Sequence, residues 1–315
     1  MKILPHIVKI SRHLKSYEIE AFSDCPICGT SGERPVVGLL QSDPTISLRK
    51  CPRCYVVSAS HFPTQKYLAD YYKNTFSQFY GLYNQAEEMD ITFSSPERFV
   101  RHLGRVICFD NFRNYSSVKI LDFGGGDGTL GLMLARKIRK GIPVTLTIID
   151  YGESKVDPKD NQIEIIKKNS LESIEGGADL VIASASLEHV QHVEPVIKKL
   201  VGLLNPGGFF YARTPYIMPI KKWVTSIDFG YPAHIHDMGA DFWNKFPEIF
   251  DENLTILKSR PSIVQLTFKT NALRCILAHM LKLPAKIECA LFPKKKFLLW
   301  SFVGGWEIFL RKKRI

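Results

Sequence analysis

Short apolar runs and glycine-rich turns alternate in the second half of the chain, and they predict β-strands that lead into helices. The run from Val118 to Leu121 is apolar and β-branched, as in a buried strand, and the residues from Leu130 onward have helical character. Further strands are predicted at 144–150 and 163–166. The glycines at 124–131 therefore lie at a strand-to-helix turn, where backbone N–H groups face a ligand.

Residues 64–115, between the two halves of the chain, are predicted to be mostly helical. This segment is crowded with the aromatic residues Tyr67, Tyr71, Tyr72, Phe76, Phe79, Tyr80 and Tyr83. An aromatic-rich helix of this kind could cover a cofactor and line a substrate pocket, or it could simply pack against the following domain. We describe the segment as a helical linker or lid and leave both roles open.

The composition is that of an ordinary soluble protein. The 315 residues are 45% hydrophobic and 23% charged, which fits one large or two modest domains with a sizeable core. The N-terminal sequence lacks a continuous apolar stretch and a small-residue cleavage site, so no signal peptide is predicted. The chain contains no run of about 20 apolar residues that could span a membrane. We therefore expect a cytoplasmic protein.

The positive charge is concentrated at the C-terminal end. The net charge is +11, and residues 251–315 contribute 13 Lys/Arg against 4 Asp/Glu. Basic clusters stand at 294–296 and 311–314. Such clusters can contact nucleic acid or anionic lipid, and they can equally form a solvated basic tail.

Four of the seven cysteines form two closely spaced pairs. Cys25 and Cys28 make one CxxC motif, and Cys51 and Cys54 make the second. A two-residue gap lets both sulfurs of a pair face one ion, and four thiolates favour zinc, with a rubredoxin-like iron site as the alternative. Four protein ligands leave no position for water, so the predicted site is structural. We assign residues 1–63 to a small zinc-ribbon domain.

The glycine-rich turn matches two cofactor-binding templates. Gly126, Gly128 and Gly131 satisfy G-x-G-x-x-G, but in that dinucleotide motif the first glycine follows the strand directly. The alternative template D-x-G-x-G-x-G is met by Asp122, Gly124, Gly126 and Gly128. This second pattern resembles the first motif of class I S-adenosylmethionine-dependent methyltransferases. In that family the acid organises the amino end of the cofactor's methionine part, and the glycines allow close backbone approach.

Downstream segments extend the resemblance over roughly residues 116–213. They are Asp150 at the end of the second strand, the sequence LEHV at 187–190, the PGG turn at 206–208 and, more loosely, a last strand near 305–311. The resemblance implies an α/β fold: a Rossmann-like seven-stranded sheet within a methyltransferase domain at 116–315. It implies S-adenosylmethionine as cofactor, and the cofactor-binding residues it implies are Asp122, Gly124, Gly126, Gly128, Asp150, Ser170 and Glu188. Ser170 borders the adenine in this scheme, or it belongs to a plain loop.

The two CxxC motifs, followed by Pro63 and a predicted helix ending in Tyr71-Tyr72, resemble the start of a bacterial group of methyltransferases with a zinc ribbon, which includes sugar C-methyltransferases. Tyr55 replaces the glycine that this group usually has after the last cysteine. On that analogy we expect methylation of a sugar hydroxyl or carbon, in a nucleotide-sugar, a surface polysaccharide or a glycolipid.

Methyl transfer to such an atom needs a base, and His is the commonest base near neutral pH. The candidates are His189, after the predicted fourth strand, and His234 and His236, which alternate in a segment expected to be extended. Each of the three could also be a loop histidine without a catalytic role.

Two other functions remain open at this point. One is an RNA methyltransferase whose basic tail binds phosphates. The segment after the predicted fourth strand contains neither the N-P-P-Y sequence nor the Pro-Cys nucleophile of such enzymes, so a nucleic-acid partner is not expected. The other is a non-catalytic adaptor that binds the cofactor.

The apolar insertion at 272–300, with its lysines, fits peripheral contact with the inner face of a membrane, a dimer contact or a core helix. Membrane contact would make a lipid-linked glycan a natural acceptor.

Overall fold

The computed structural model describes residues 13–71, 96–139, 141–150, 163–221, 229–263, 272–292, 299–300 and 302–314. The strands are β1 (Ile19–Ala21), β2 (Val36–Ser42), β3 (Thr45–Lys50), β4 (Val57–Ala59), β5 (His61–Pro63), β6 (Val118–Phe123), β7 (Val144–Ile149), β8 (Ile163–Lys168), β9 (Ala178–Ser184), β10 (Leu204–Tyr216), β11 (His236–Asp237), β12 (Leu254–Pro261) and β13 (Gly304–Lys312). The α-helices are α1 (Gln65–Asp70), α2 (Pro96–Ile107), α3 (Thr129–Arg139), α4 (Val193–Gly202), α5 (Met218–Lys221), α6 (Ala240–Phe250) and α7 (Ala272–Leu291).

The larger sheet has seven strands in the order β12-β13-β10-β9-β6-β7-β8. Neighbouring strands from β8 to β10 run parallel, and β13 runs antiparallel to both β10 and β12. Counted in chain order within this sheet, the strands therefore lie as 3-2-1-4-5-7-6. This arrangement confirms the α/β fold and the seven-stranded sheet that the sequence resemblance implied.

The strand order reverses direction between β6 and β9, which are neighbours although β7 and β8 separate them in the chain. In open parallel sheets, ligands bind at such a switch point, outside the carboxyl ends of the strands. The glycine-rich turn follows β6, and the Leu187–His189 turn follows β9. Both turns carrying predicted site residues therefore stand at the same edge of the sheet.

Two apolar cores cover the two faces of this sheet. One core contains residues of α2 and α3, among them Leu103 and Leu134, packed on the sheet. The other contains residues of α4 and α6, such as Ile197 and Trp243, and it also takes in all four clustered cysteines. The N-terminal metal-binding unit therefore packs directly on the methyltransferase-like part of the chain.

The smaller sheet has four strands in the order β11-β4-β3-β2. Its first three strands in the chain lie before residue 63, but β11 comes from the segment after β10. His236 pairs with Ser58, and Asp237 pairs with Val57, in antiparallel register. The predicted domain boundary at residue 63 therefore does not separate the strands of this sheet, because β11 from the C-terminal part completes it.

The predicted helical linker is only partly covered by the described ranges. Helices α1 and α2 lie at its two ends, and the rings of Tyr67 and Tyr71 stack 6.3 Å apart. The remaining aromatic residues of the predicted lid, from Tyr72 to Tyr83, lie outside the described residues. None of the helices within the described ranges is both long and apolar enough to cross a bilayer.

Candidate active site and metal centre

The four cysteines of the two CxxC motifs converge in one buried cluster. Their sulfurs lie within 4.8 Å of one another, with Cys25 Sγ 3.6 Å from Cys54 Sγ and Cys28 Sγ 3.7 Å from Cys51 Sγ. Four sulfurs at the usual zinc–sulfur distance of about 2.3 Å form a tetrahedron with edges of about 3.8 Å. The cluster therefore fits a structural zinc ion.

The first cysteine knuckle is seated on the N-terminus of α4. The Glu194 N–H donates to the Pro26 carbonyl over 3.3 Å. Gly29 has φ +65°, and a Cβ added there would lie 3.1 Å from the Glu194 carboxylate. Glycine therefore suits both the left-handed turn after the second cysteine and the close approach of the Glu194 side chain, although Tyr55 adopts a similar φ of 64° after the fourth cysteine.

The glycine-rich turn after β6 adopts the backbone that its sequence suggests. Gly124, Gly126 and Gly128 all have positive φ, at 67°, 58° and 87°. A Cβ on Gly124 would lie only 2.4 Å from Ser186 Cβ, so this glycine lets the turns after β6 and β9 touch. The Gly126 N–H donates to Asp150 Oδ2 over 2.8 Å, which ties the turn to the end of β7. The structure thus brings these predicted cofactor residues together.

Asp122, at the end of β6, is an unusually placed carboxyl group. It is 2% exposed, and its Oδ2 has no hydrogen-bond partner within the described ranges. Burial, with smaller contributions from Asp150 and Asp127, raises its pKa from 3.8 to about 7. A buried acid without a partner costs folding free energy, and an amino or hydroxyl donor from a ligand would offset that cost. The position therefore fits the amino end of S-adenosylmethionine.

Ser170 stands after β8, as predicted, but its side chain is used locally. Its hydroxyl donates to the Glu172 carboxylate, and its carbonyl accepts from the Ser173 hydroxyl over 2.8 Å. These contacts describe a turn that is held by its own side chains. The predicted position beside the adenine stays a prediction.

The turn after β9 carries a second buried carboxyl group, Glu188. It is 2% exposed, burial raises its pKa, and its Oε2 makes no hydrogen bond to any described residue. The hydroxyl groups of Ser184 and Ser186 are also buried and make no hydrogen bond to any described residue. The sequence reasoning missed these two serines, although hydroxyl residues in the Ser-Ala-Ser segment directly after a parallel strand are a usable signal. Together they form a polar lining at the switch point.

His189 and His234 meet at this edge of the sheet. His189 Nδ1 donates to the Ala233 carbonyl over 2.8 Å, which makes Nε2 its basic nitrogen. The two imidazole rings lie 4.9 Å apart, and ligand atoms of Glu188, His189 and His234 lie within 4.8 Å of one another. Burial, and then the neighbouring His189, lower the pKa of His234 to about 3. His234 is therefore neutral at physiological pH.

His236 is placed differently from the other two histidines. Its Nε2 donates to the Val190 carbonyl over 2.8 Å, and its Nδ1 accepts from the Ser58 hydroxyl over 2.9 Å. The ring is fully buried, and burial lowers its pKa to about 4. Both nitrogens are engaged, so these contacts do not support the predicted acceptor role. A turn at residues 231–233 precedes the two histidines, and the chain enters strand β11 at His236.

Comparison with known proteins gives a family match for the central segment of the chain. Residues 121–210, from β6 to β10, match the family described as "Methyltransferase domain". No curated protein sequence matches the chain.

Three solved methyltransferases illustrate the structural likeness. The plantazolicin methyltransferase BpumL with SAH is 13% identical (TM-score 0.47; 78% of this chain, 95% of that chain). The magnesium protoporphyrin IX methyltransferase from Synechocystis PCC 6803 with SAH is 14% identical (TM-score 0.45; 79% and 100%). Coclaurine N-methyltransferase is 14% identical (TM-score 0.41; 72% and 76%).

The assignment rests on the family match, the strand order and the geometry of the glycine-rich turn. The family match runs from β6 to β10 and so includes the edge of the sheet that carries the glycine-rich turn. The buried acid and the close-packed glycines at that edge fit the cofactor. The chain therefore contains a class I methyltransferase domain that depends on S-adenosylmethionine.

Proposed function

We propose that the protein methylates a hydroxyl group or an acidic carbon of a sugar, in a nucleotide-sugar or a glycan. The observation that carries this proposal is the hydrogen bond from His189 Nδ1 to the Ala233 carbonyl. It joins the turn after β9 to the segment after β10 and leaves Nε2 as the basic nitrogen at the carboxyl edge of the sheet. A base held in this way can take the proton of a neighbouring hydroxyl.

The remaining residues of the site bind and position. Asp122, the glycine-rich turn and Asp150 hold the cofactor, which supplies an electrophilic methyl group when it is bound. Glu188 lies beside His189 and favours the imidazolium that forms when the base takes a proton. His234, whose pKa is lowered by burial, is a poor base and instead packs against the His189 ring.

The polar lining supports an acceptor with several hydroxyl groups. Within the described part of the chain, atoms of Ser184, Ser186 and Glu188 are buried and make no hydrogen bond. Buried polar groups are nearly always paired in a working protein, and the hydroxyl groups of a bound ligand can supply the partners. A sugar offers donors and acceptors at short spacing, which matches this need better than an apolar acceptor would.

The test uses methyl-labelled S-adenosylmethionine, the purified protein and an extract of cells that lack its gene. Products are separated into glycan and glycolipid, nucleotide-sugar, RNA and protein fractions. We expect label in a sugar-containing fraction, a loss of about 100-fold or more in the His189→Asn variant, and no loss in His13→Asn, which alters an exposed histidine. Label in RNA or protein would refute a sugar acceptor. Cofactor binding without label in any fraction would refute catalysis and favour an adaptor.

A further inference from the structure

Helix α7 presents a large apolar surface to solvent. Leu273, Met280 and Leu291 are 64%, 62% and 67% exposed. The other exposed apolar residues of the helix and its immediate continuation are Ile276, Leu277, Leu281, Leu283, Ile287 and Phe292. Soluble monomers rarely expose one contiguous apolar patch larger than a few hundred Å². A helix of this kind in a globular protein normally buries such residues.

The exposed residues fall on one side of the helix. Positions 273, 276, 277, 280, 287 and 291 follow the spacing of three, four and seven residues that aligns side chains along one helix face. We call this face the α7 stripe. A 20-residue helix is about 30 Å long, and the stripe extends over almost its whole length.

The polar face of α7 is directed at the protein instead. Lys282 Nζ donates to the Ser262 carbonyl over 3.0 Å, next to the end of β12, and burial lowers its pKa to about 7. Lys286 is also partly buried. Burial lowers the pKa of its amino group most, and the nearby charges of Arg260 and Arg98 lower it further. The inner side of α7 also places Ala285 in the apolar core. The helix therefore packs on the protein with one side, while the α7 stripe on its other side stays exposed.

Residues 299–300 extend the same surface. Glu288 accepts from the Leu299 N–H over 2.9 Å, and Trp300 Nε1 donates to the Leu281 carbonyl over 2.6 Å. Leu299 itself is 88% exposed. A tryptophan with its N–H bonded and part of its ring exposed is typical of a membrane–water interface.

The charge of this region points to an anionic partner. Residues 272–300 contain six Lys/Arg and one Asp/Glu, and that one acid, Glu288, is buried. Lys282 and Lys286 belong to the face directed at the protein, so the charge offered to a partner comes from the other four basic residues: Arg274, Lys294, Lys295 and Lys296. Arg98, Lys282 and Lys286 lie close enough to His279 to lower its pKa, after burial. A second copy of the chain would bring the same positive charge to the contact, whereas an anionic bilayer complements it.

We propose that the α7 stripe lies flat on an anionic phospholipid membrane, with its apolar side chains in the headgroup–acyl boundary. Apolar burial and attraction of basic residues to anionic lipid act together in this mode of binding. Membrane binding through the α7 stripe does not depend on which acceptor is methylated.

The test is cosedimentation of the full-length protein with vesicles of phosphatidylcholine, alone or mixed with phosphatidylglycerol. We expect binding to the mixed vesicles that weakens as salt is raised. The double variant Leu277→Glu, Met280→Glu removes apolar contact and adds negative charge, so its binding falls by about tenfold or more. Both residues are exposed, and the thermal melting and cofactor affinity of the variant check that the fold is retained.

The matched control is Leu39→Glu, which adds a charge at another exposed apolar position, in β2 of the small sheet. Its binding to vesicles should equal that of the unaltered protein. The proposal is overturned if the protein does not bind the mixed vesicles, or if the double variant binds as well as the control. The stripe would instead be assigned to self-association under two conditions. The unaltered protein would have to sediment as a dimer without binding vesicles, and the double variant would have to sediment as a monomer.

Discussion

The role of His236 gives the sharpest test of the structural reasoning. In the structure this histidine links the small sheet to the turn after β9, through Ser58 on one side and the Val190 carbonyl on the other. Its ring also meets Phe62 edge to face at 5.4 Å. If these contacts describe its role, replacing it should affect stability first and catalysis only as a consequence.

The expected magnitude follows from the groups that lose their partners. His236→Ala leaves the Ser58 hydroxyl and the Val190 carbonyl buried and unpaired, at about 1–3 kcal/mol each. The cavity left by the ring adds to this cost. We expect the free energy of unfolding to fall by about 3–5 kcal/mol. Equilibrium urea denaturation measures this quantity directly.

Two further variants separate a structural role from a catalytic one. His236→Gln retains an amide donor that can reach the Val190 carbonyl, so it should recover part of the lost stability and most of the turnover. His234→Gln should change the free energy of unfolding by less than about 1 kcal/mol, because the Nδ1 atom of His234 makes no hydrogen bond to the described residues and the Gln amide can replace the hydrogen bond of the ring to the Phe229 backbone. The reasoning fails if His236→Gln has the stability of the unaltered protein and has lost most of its turnover.

Three other changes test the site. Asp122→Asn should raise the free energy of unfolding of the cofactor-free protein by up to about 4 kcal/mol at pH 8, because burial raises the pKa of this acid to about 7 and so penalises its ionised form. The gain should shrink as the pH falls below 7 and disappear well below pH 3.8, where the acid is protonated in both states, while calorimetry should show weaker cofactor binding at pH 8. Cys51→Ser should lower the zinc content measured by atomic absorption and unfold the small sheet, and full zinc retention would contradict a four-thiolate site. His189→Asn keeps a donor for the Ala233 carbonyl and should lower kcat by about 100-fold or more with unchanged cofactor affinity, whereas an unchanged kcat would exclude it as the base.

The small sheet also connects the zinc ribbon to the segment that carries His234. The Ala59 N–H donates to the Ile235 carbonyl over 3.0 Å, and the Tyr231 hydroxyl donates to the His61 carbonyl over 3.2 Å. These bonds hold the segment that carries His234 and the Ala233 carbonyl. Zinc removal should therefore impair acceptor turnover more than cofactor affinity, since the glycine-rich turn makes its bonds within the larger sheet.

Local features of this protein could be predicted from its sequence because short-range chemistry determines them. Two CxxC motifs supply four thiolates, and the positions of Gly124, Gly126 and Gly128 require a backbone that only glycine adopts without strain. The alternation of strands and helices, with the motif resemblance, was enough to predict a seven-stranded sheet. These signals lie within short segments of the chain, so they do not depend on how distant segments pack.

The partners of buried polar groups depended on the tertiary structure. His234 and His236 are two residues apart and of the same type, yet one contacts His189 and the other bonds Ser58, 178 positions away in the chain. The periodicity of α7 shows an apolar stripe in the sequence, but only the packing of Lys282 on Ser262 decides that the stripe faces outward. In each case the deciding interaction joins segments far apart in sequence, and no local pattern of residues encodes it.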